Sequence, residues 1–197
     1  MQSMSAPSLH ADIEGFLAPL RDANALTAAV MVTSVDGRAT IAGRVGELTG
    51  DADQQVLLGA REAAAAVIVG ASTIAAEGYD RLLDDQARAR RQARGMTPEP
   101  ELVSVSRSGP PPPELMADLR RRHPDALLIC EGGPRLLGLM VSEHLIDQLV
   151  LGISPLLVGD DSQKRLLEIA QPLGIELELL GLALSGDHLF LRYGILR

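Results

Sequence analysis

Three segments of the chain hold residues whose types and spacing could do chemistry, and each follows a run that reads as a buried strand. Ser34-Val-Asp-Gly37 is the first. There Asp36 can bond its own backbone and Gly37 can take positive φ, so the stretch by itself is an ordinary strand-ending turn. Val69-Gly-Ala-Ser-Thr73, followed by Glu77 and Gly78, is the second. Small residues such as Gly70 at a strand's end let a ligand approach the backbone closely, and Thr73 can cap the next turn or bond a phosphate. In the third, Cys130-Glu-Gly-Gly-Pro-Arg-Leu-Leu-Gly138, Gly132 and Gly133 precede a proline, Pro134, that suits a first helical turn. Two glycines expose consecutive backbone N–H groups at the positive end of a helix, an arrangement that suits pyrophosphate. The segment is neither the six-residue dinucleotide fingerprint nor a P-loop, because Gly-Lys-Ser/Thr is absent.

The elements that must position these segments follow from periodicity. Apolar residues Ile13, Phe16, Leu17 and Leu20 have helical spacing over 11–22. Strands are predicted at 26–34, 66–70, 101–106, 126–130 and 147–154, and helices at 51–62, 114–122, 136–143 and 162–170. The charged stretch 82–95 reads as a helix or loop with a solvated face, and 110–113 as a polyproline-like connector. Strands at 175–183 and 188–193, separated by Ser185-Gly-Asp187, form a hairpin. Strands alternating with helices and ending in a hairpin predict an α/β fold of three α-β-α layers. Its sheet is mixed but mostly parallel, with an antiparallel edge and helices on both faces. A lead-in helix within 1–24 and one domain over 25–197 are expected. Ligands of such a sheet lie outside the carboxyl ends of its strands, where all three segments fall.

Composition narrows the function classes. With 197 residues, 46% of them hydrophobic, one core can be stable without cross-links. One cysteine and four scattered histidines exclude an internal disulfide and predict no metal site. Cys130 reads as core packing. The 26 acidic against 18 basic residues give a net charge of -8, a field that repels polyanions, and two Phe, two Tyr and no Trp offer few stacking platforms. Nucleic acid is therefore not an expected partner. No apolar run is long enough for a signal peptide or a membrane span, so a cytoplasmic protein acting on a small molecule is expected.

Taken together, Asp36-Gly37, Val69-Gly70 with Thr73 and Glu77, Glu131-Gly-Gly-Pro134 with Leu137-Gly138, and Ser154-Pro155 before Val158-Gly159 occur in the order found in the riboflavin-biosynthesis reductase family. The chain resembles that family over roughly residues 29–193. The resemblance implies a dihydrofolate-reductase-like fold, a homodimer, and NADPH-dependent reduction of a phosphoribosylamino-pyrimidinedione at C1′ of its sugar, as an imine. It further implies catalytic roles for Asp36, near the nicotinamide, and Glu131, which bonds the substrate. Gly70, Thr73, Glu77, Gly132, Gly133, Pro134, Leu136, Leu137 and Gly138 would bind the cofactor, and Arg61 and Arg81 the substrate.

The chain also departs from the family pattern. Val45 stands where relatives often have a substrate-contacting serine, and Leu83 occupies the position of a family arginine, leaving Arg81 as the nearest replacement. Asp160-Asp161 follows Gly159 where a second glycine is common. After Ser106-Arg-Ser-Gly109 relatives continue through a further strand and helix, whereas this chain passes straight to Pro110: either the deletion is natural, and the sheet loses a strand, or a stretch is absent from the sequence. The deaminase half of bifunctional relatives needs cysteines that this chain lacks. Other readings stay open: a related reductase of a small carbonyl, imine or pterin-like substrate, a reductase of the same fold using a deazaflavin, and a catalytically silent nucleotide-binding module.

Overall fold

The computed structural model describes residues 7–169 and 171–196. Its elements run β1 (Ser8–His10), α1 (Ile13–Arg21), β2 (Thr27–Ser34), α2 (Asp51–Ala63), β3 (Ala66–Gly70), α3 (Ala71–Glu77), α4 (Asp85–Ala93) and β4 (Glu101–Val105). They continue with α5 (Pro112–Arg122), β5 (Leu128–Gly132), α6 (Pro134–Ser142), β6 (Gln148–Ser154), β7 (Leu177–Ser185) and β8 (His188–Ile195). The strands form one sheet in the order β1-β7-β8-β6-β2-β5-β3-β4. Pairing is parallel except where β8 meets β6 and β7. This is the mixed sheet with a C-terminal hairpin that the sequence predicts.

Strand β2 lies at the centre and is apolar on both sides, as a parallel strand covered by helices must be. One face packs Phe16 and Leu17 of α1, Val56 and Ala60 of α2 and Ala87 of α4 against Val30, Val67, Ile129 and Phe190. The other packs Met116 and Leu119 of α5 and Leu137 and Met140 of α6 against Ala29, Ile68, Leu128 and Cys130. Burial pushes the Cys130 thiol up to about 12, so it stays a neutral packing group. Among the described residues no helix is long and apolar enough to cross a membrane.

Several local expectations are corrected. The hairpin is not the sheet's edge, because β1, too short to show a period, pairs in parallel with Gly181–Ala183 of β7. Helix α3 occupies 71–77, a stretch to which the sequence reading assigned no element. The connector at 110–113 is partly helical: Pro112 and Pro113 occupy the first turn of α5, where a missing N–H costs nothing. β4 is the outer strand on its side of the sheet and is joined to α5 by a short turn. Helix α4 is not merely a solvated face: Arg91 is 1% exposed and its guanidinium accepts nothing but donates to the carbonyls of Glu62 and Ala64 at 2.8 and 2.6 Å, closing the C-terminal end of α2.

The largest correction concerns 162–170, of which Ala170 lies outside the described residues. Residues 162–169 are not helical. Helical spacing of Leu166, Leu167 and Ile169 suggested a helix, but long-range partners take the backbone groups that a helix would use. Lys164 N–H donates to Thr40 Oγ1 at 3.1 Å, Lys164 carbonyl accepts from Ala39 N–H at 2.7 Å, and Glu168 N–H donates to the Pro134 carbonyl at 3.1 Å. The strip crosses α6 at Gly138, where a Cβ would stand 2.4 Å from the Glu168 carbonyl oxygen. Gly138→Ala is therefore expected to destabilise the protein by about 1–3 kcal/mol through overpacking. Urea denaturation checks this, and an unchanged midpoint would show that the strip yields freely.

Candidate functional site

At the carboxyl ends of the parallel strands, the sheet face beneath α2 opens into a cleft of about 340 Å³. Of the site residues expected from the sequence, Arg61, Thr73, Glu77, Glu131, Gly133 and Pro134 line it, as does Val45. Glu131 owes its position to an irregularity in the sheet. Ile68 of β3 pairs with Cys130 but Val69 pairs with Gly132, so Glu131 is the extra residue of a bulge, a device that re-aims a side chain. Arg61 reaches it from the last turn of α2 and grips both carboxylate oxygens, Nε to Oε1 and Nη2 to Oε2, each at 2.6 Å. Tyr79 donates its hydroxyl to Oε2 at 3.0 Å and lays its ring 5.3 Å from the guanidinium carbon.

The Glu131 and Arg61 side chains are only 4% and 13% exposed. Burial opposes the Arg61 charge, but the bond and field of Glu131 outweigh it and hold its pKa above the usual arginine value. Burial, then the Glu131 carboxylate, push the Tyr79 phenol well above the ordinary range. The trio is a fixed, hydrogen-bonded wall.

Beside it, Thr73 and Glu77 share one face of α3 at a spacing of one helical turn, and Thr73 Oγ1 donates to the Gly132 carbonyl at 3.0 Å. Gly133 is the cap position of α6, with φ +110° and no side-chain cap. A Cβ there would stand 2.8 Å from Thr73 Oγ1, so only glycine leaves this turn open. With Pro134 at the first helical turn and no acidic residue in it, the N-terminus of α6 can accept an anion.

Other expected site residues lie elsewhere. Gly70 and Gly132 shape the turns without lining the cleft, while Leu136, Leu137 and Gly138 are buried in α6. Arg81 turns away to the Leu83 carbonyl, 2.7 Å, and to Asp85. Asp36 is a latch: it accepts from Ser34 Oγ at 2.5 Å and from the backbone N–H groups of Val158 and Gly159 at 3.1 and 2.8 Å. Those bonds, the Ser34 hydroxyl first, hold its carboxyl far below the usual carboxylate range.

Three ionisable cleft residues escaped the sequence reading. Tyr79 follows α3 in an unpatterned stretch, and Lys164 lies in the misread strip, its ammonium without an ion-pair partner among the described residues. Asp53 sits in the first turn of α2, 8% exposed, where an acidic residue reads as ordinary helix chemistry. Burial raises its pKa to about 6. A second cavity, about 190 Å³ on the opposite sheet face, is walled by Leu137, Val141, Leu149, Leu166 and Ile175 and offers no charged group.

Comparison with known proteins bears on the family and the fold. The family model described as the RibD C-terminal domain matches residues 27–191. A pyrimidine reductase-like protein from Corynebacterium diphtheriae superposes with a TM-score of 0.80 at 19% identity, covering 94% of this chain and 99% of that one. RibD from Acinetobacter baumannii gives 0.65 at 18% identity over 93% of this chain and 62% of its own. Dihydrofolate reductase from Enterococcus faecalis, complexed with NADP(H) and RAB-propyl, gives 0.53 at 10% identity over 89% and 99%. No curated protein matches the sequence.

Proposed function

The chain belongs to the RibD C-terminal domain family, and on that premise we propose that it is an NADPH-dependent reductase of a phosphoribosylamino-pyrimidinedione or a closely related imine. The observation that carries this reading is the open Gly133 turn at the N-terminus of α6, directly beside the Arg61–Glu131–Tyr79 wall in one cleft. The backbone of that turn would hold the cofactor's phosphates, and Thr73 and Glu77 would line the cofactor's other side. When bound, the dihydronicotinamide supplies hydride. Glu131, held in place by Arg61, would accept hydrogen bonds from the N–H groups of the substrate's ring and so fix its orientation. Asp36 acts through the backbone, tying the Val158–Gly159 turn to the end of β2.

Substrate phosphate has fewer donors than the family pattern supplies. Val45 has no hydroxyl, Arg61 is committed to Glu131 and Arg81 to Leu83 and Asp85. Lys164 is the cleft cation left to meet it, as a point charge and not a fork. The homodimer and cytoplasmic location belong to the same proposal: β1 covers only part of β7, leaving Leu177 and Leu184 exposed.

NADPH is expected to raise the melting temperature, because a ligand selective for the native state stabilises it by about 2.7 kcal/mol at a hundredfold excess over Kd. Gly133→Asp should abolish the shift by placing a carboxylate in the turn. No shift with the wild-type protein at millimolar NADPH would end the reading, and a shift with a deazaflavin instead would replace the cofactor.

A further inference from the structure

We propose that Asp53 is the acid of this site, giving a proton to the nitrogen of a C=N acceptor as hydride reaches its carbon, so that imines are substrates and carbonyls are not. The inference rests on the reductase reading above and specifies its chemistry.

Asp53 is held where a packing role has no use for it. Its Oδ1 lies 2.9 Å from the place a Cβ of residue 152 would occupy, so a side chain there would displace the carboxyl group from its position against β6. Gly152 pairs with Val32 on one side and Phe190 on the other, an apolar setting. Glu131 stands across β2, on β5, so the two carboxyl groups flank the central strand in one cleft. Buried carboxylates are ordinarily paired. The Asp53 carboxyl group has no hydrogen bond or ion pair with any of the described residues, although the residue lines the cleft and is 8% exposed.

The other titratable groups of the cleft are already committed or unsuited. Glu131 is gripped by Arg61 and Tyr79, Tyr79 donates to Glu131, and Glu77 accepts the Val45 N–H at the exposed rim at 3.4 Å. Lys164 is a cation, and Asp36 lies outside the cleft with every bond made. None of these charges contributes to the raised pKa of Asp53, which follows from burial. A carboxylic acid poised near 6 matches the basicity of an imine nitrogen closely enough for proton transfer, whereas a carbonyl oxygen is a far weaker base.

The step balances. The C=N π bond breaks, and the carbon takes hydride, with its electron pair, from C4 of the dihydronicotinamide, which is oxidised to the pyridinium. The π electrons become a nitrogen lone pair that takes the Asp53 proton. Asp53 is left as carboxylate and regains a proton from water at the cleft mouth.

The test is NADPH oxidation with the phosphoribosylamino-pyrimidinedione by the full chain, its Asp53→Asn and its Asp53→Glu variants, across pH 5 to 8, beside NADPH binding by equilibrium dialysis. The wild-type rate should fall about tenfold per pH unit above the Asp53 pKa, and Asp53→Asn should be slower by about 10²–10⁴-fold with a flat profile and unchanged NADPH affinity. Asp53→Glu should recover part of the rate with a displaced pH midpoint, a readout that stands even if the asparagine variant fails to fold. A wild-type profile in either variant, or NADPH binding with no oxidation at any pH, would overturn the proposal while sparing the cofactor reading. Failure to bind NADPH would remove both.

Discussion

Glu131→Ala is expected to destabilise the protein by about 3–5 kcal/mol, because removing one partner of a buried pair leaves the other as an uncompensated buried charge. The geometry argues for the upper part of that range. Arg61 Nε and Nη2 both point at Glu131, and the Nη1 contact to the Leu82 carbonyl at 3.3 Å is too long to replace them. Tyr79 would also lose the acceptor of its hydroxyl. The double variant Arg61→Met, Glu131→Leu should recover most of the stability, since the side chains removed are similar in size to those introduced, but none of the activity. Urea denaturation of the single and double variants checks the first part; a loss below about 1 kcal/mol in Glu131→Ala would mean that the pair is screened as a surface pair is.

Asp53→Asn is expected to stabilise the protein at neutral pH by as much as about 3 kcal/mol. The sign follows from linkage: burial raises this acid from 3.8 unfolded to about 6 folded, so the folded state holds the proton more tightly. That contribution is present in full below pH 3.8 and is lost as pH rises to about 6. At pH 7 the wild-type protein therefore folds around a desolvated anion, which asparagine replaces with a neutral group of the same shape. Denaturation at several pH values should show wild type and variant converging toward pH 4, separating as pH rises to about 6, and keeping the full difference above it. Equal stability at pH 7 would show that water in the cleft hydrates the carboxylate. A gain in stability joined to a loss of turnover is the pattern of a group retained for chemistry.

Much of the fold was legible because local pattern and tertiary placement agree. Alternation of strands with helices gave the layers, the glycines before Pro134 marked the end of β5, and Ser185-Gly-Asp187 marked the hairpin. Disagreement came where partners distant in sequence outcompete local preference. Leu166, Leu167 and Ile169 keep a helical spacing, yet Thr40 and Pro134 take the backbone groups of that segment. Arg91 belongs to a stretch of alternating charge, yet the open carbonyls at the end of α2 draw it into the interior.

The site divides along the same line. Sequence alone determined which glycine turns end the strands, and it brought Arg61, Thr73, Glu77, Glu131, Gly133 and Pro134 to notice, because turn chemistry and family order are local and linear properties. Tertiary structure decided the rest. A bulge opposite β3 aims Glu131 at Arg61, the packing of α2 on β6 at Gly152 strips water from Asp53, and the hydroxyl and amides around Asp36 turn a candidate catalytic carboxylate into a latch. A carboxylate's role is set by which dipoles and how much water surround it, and for all three acids those surroundings come from residues far away in the chain.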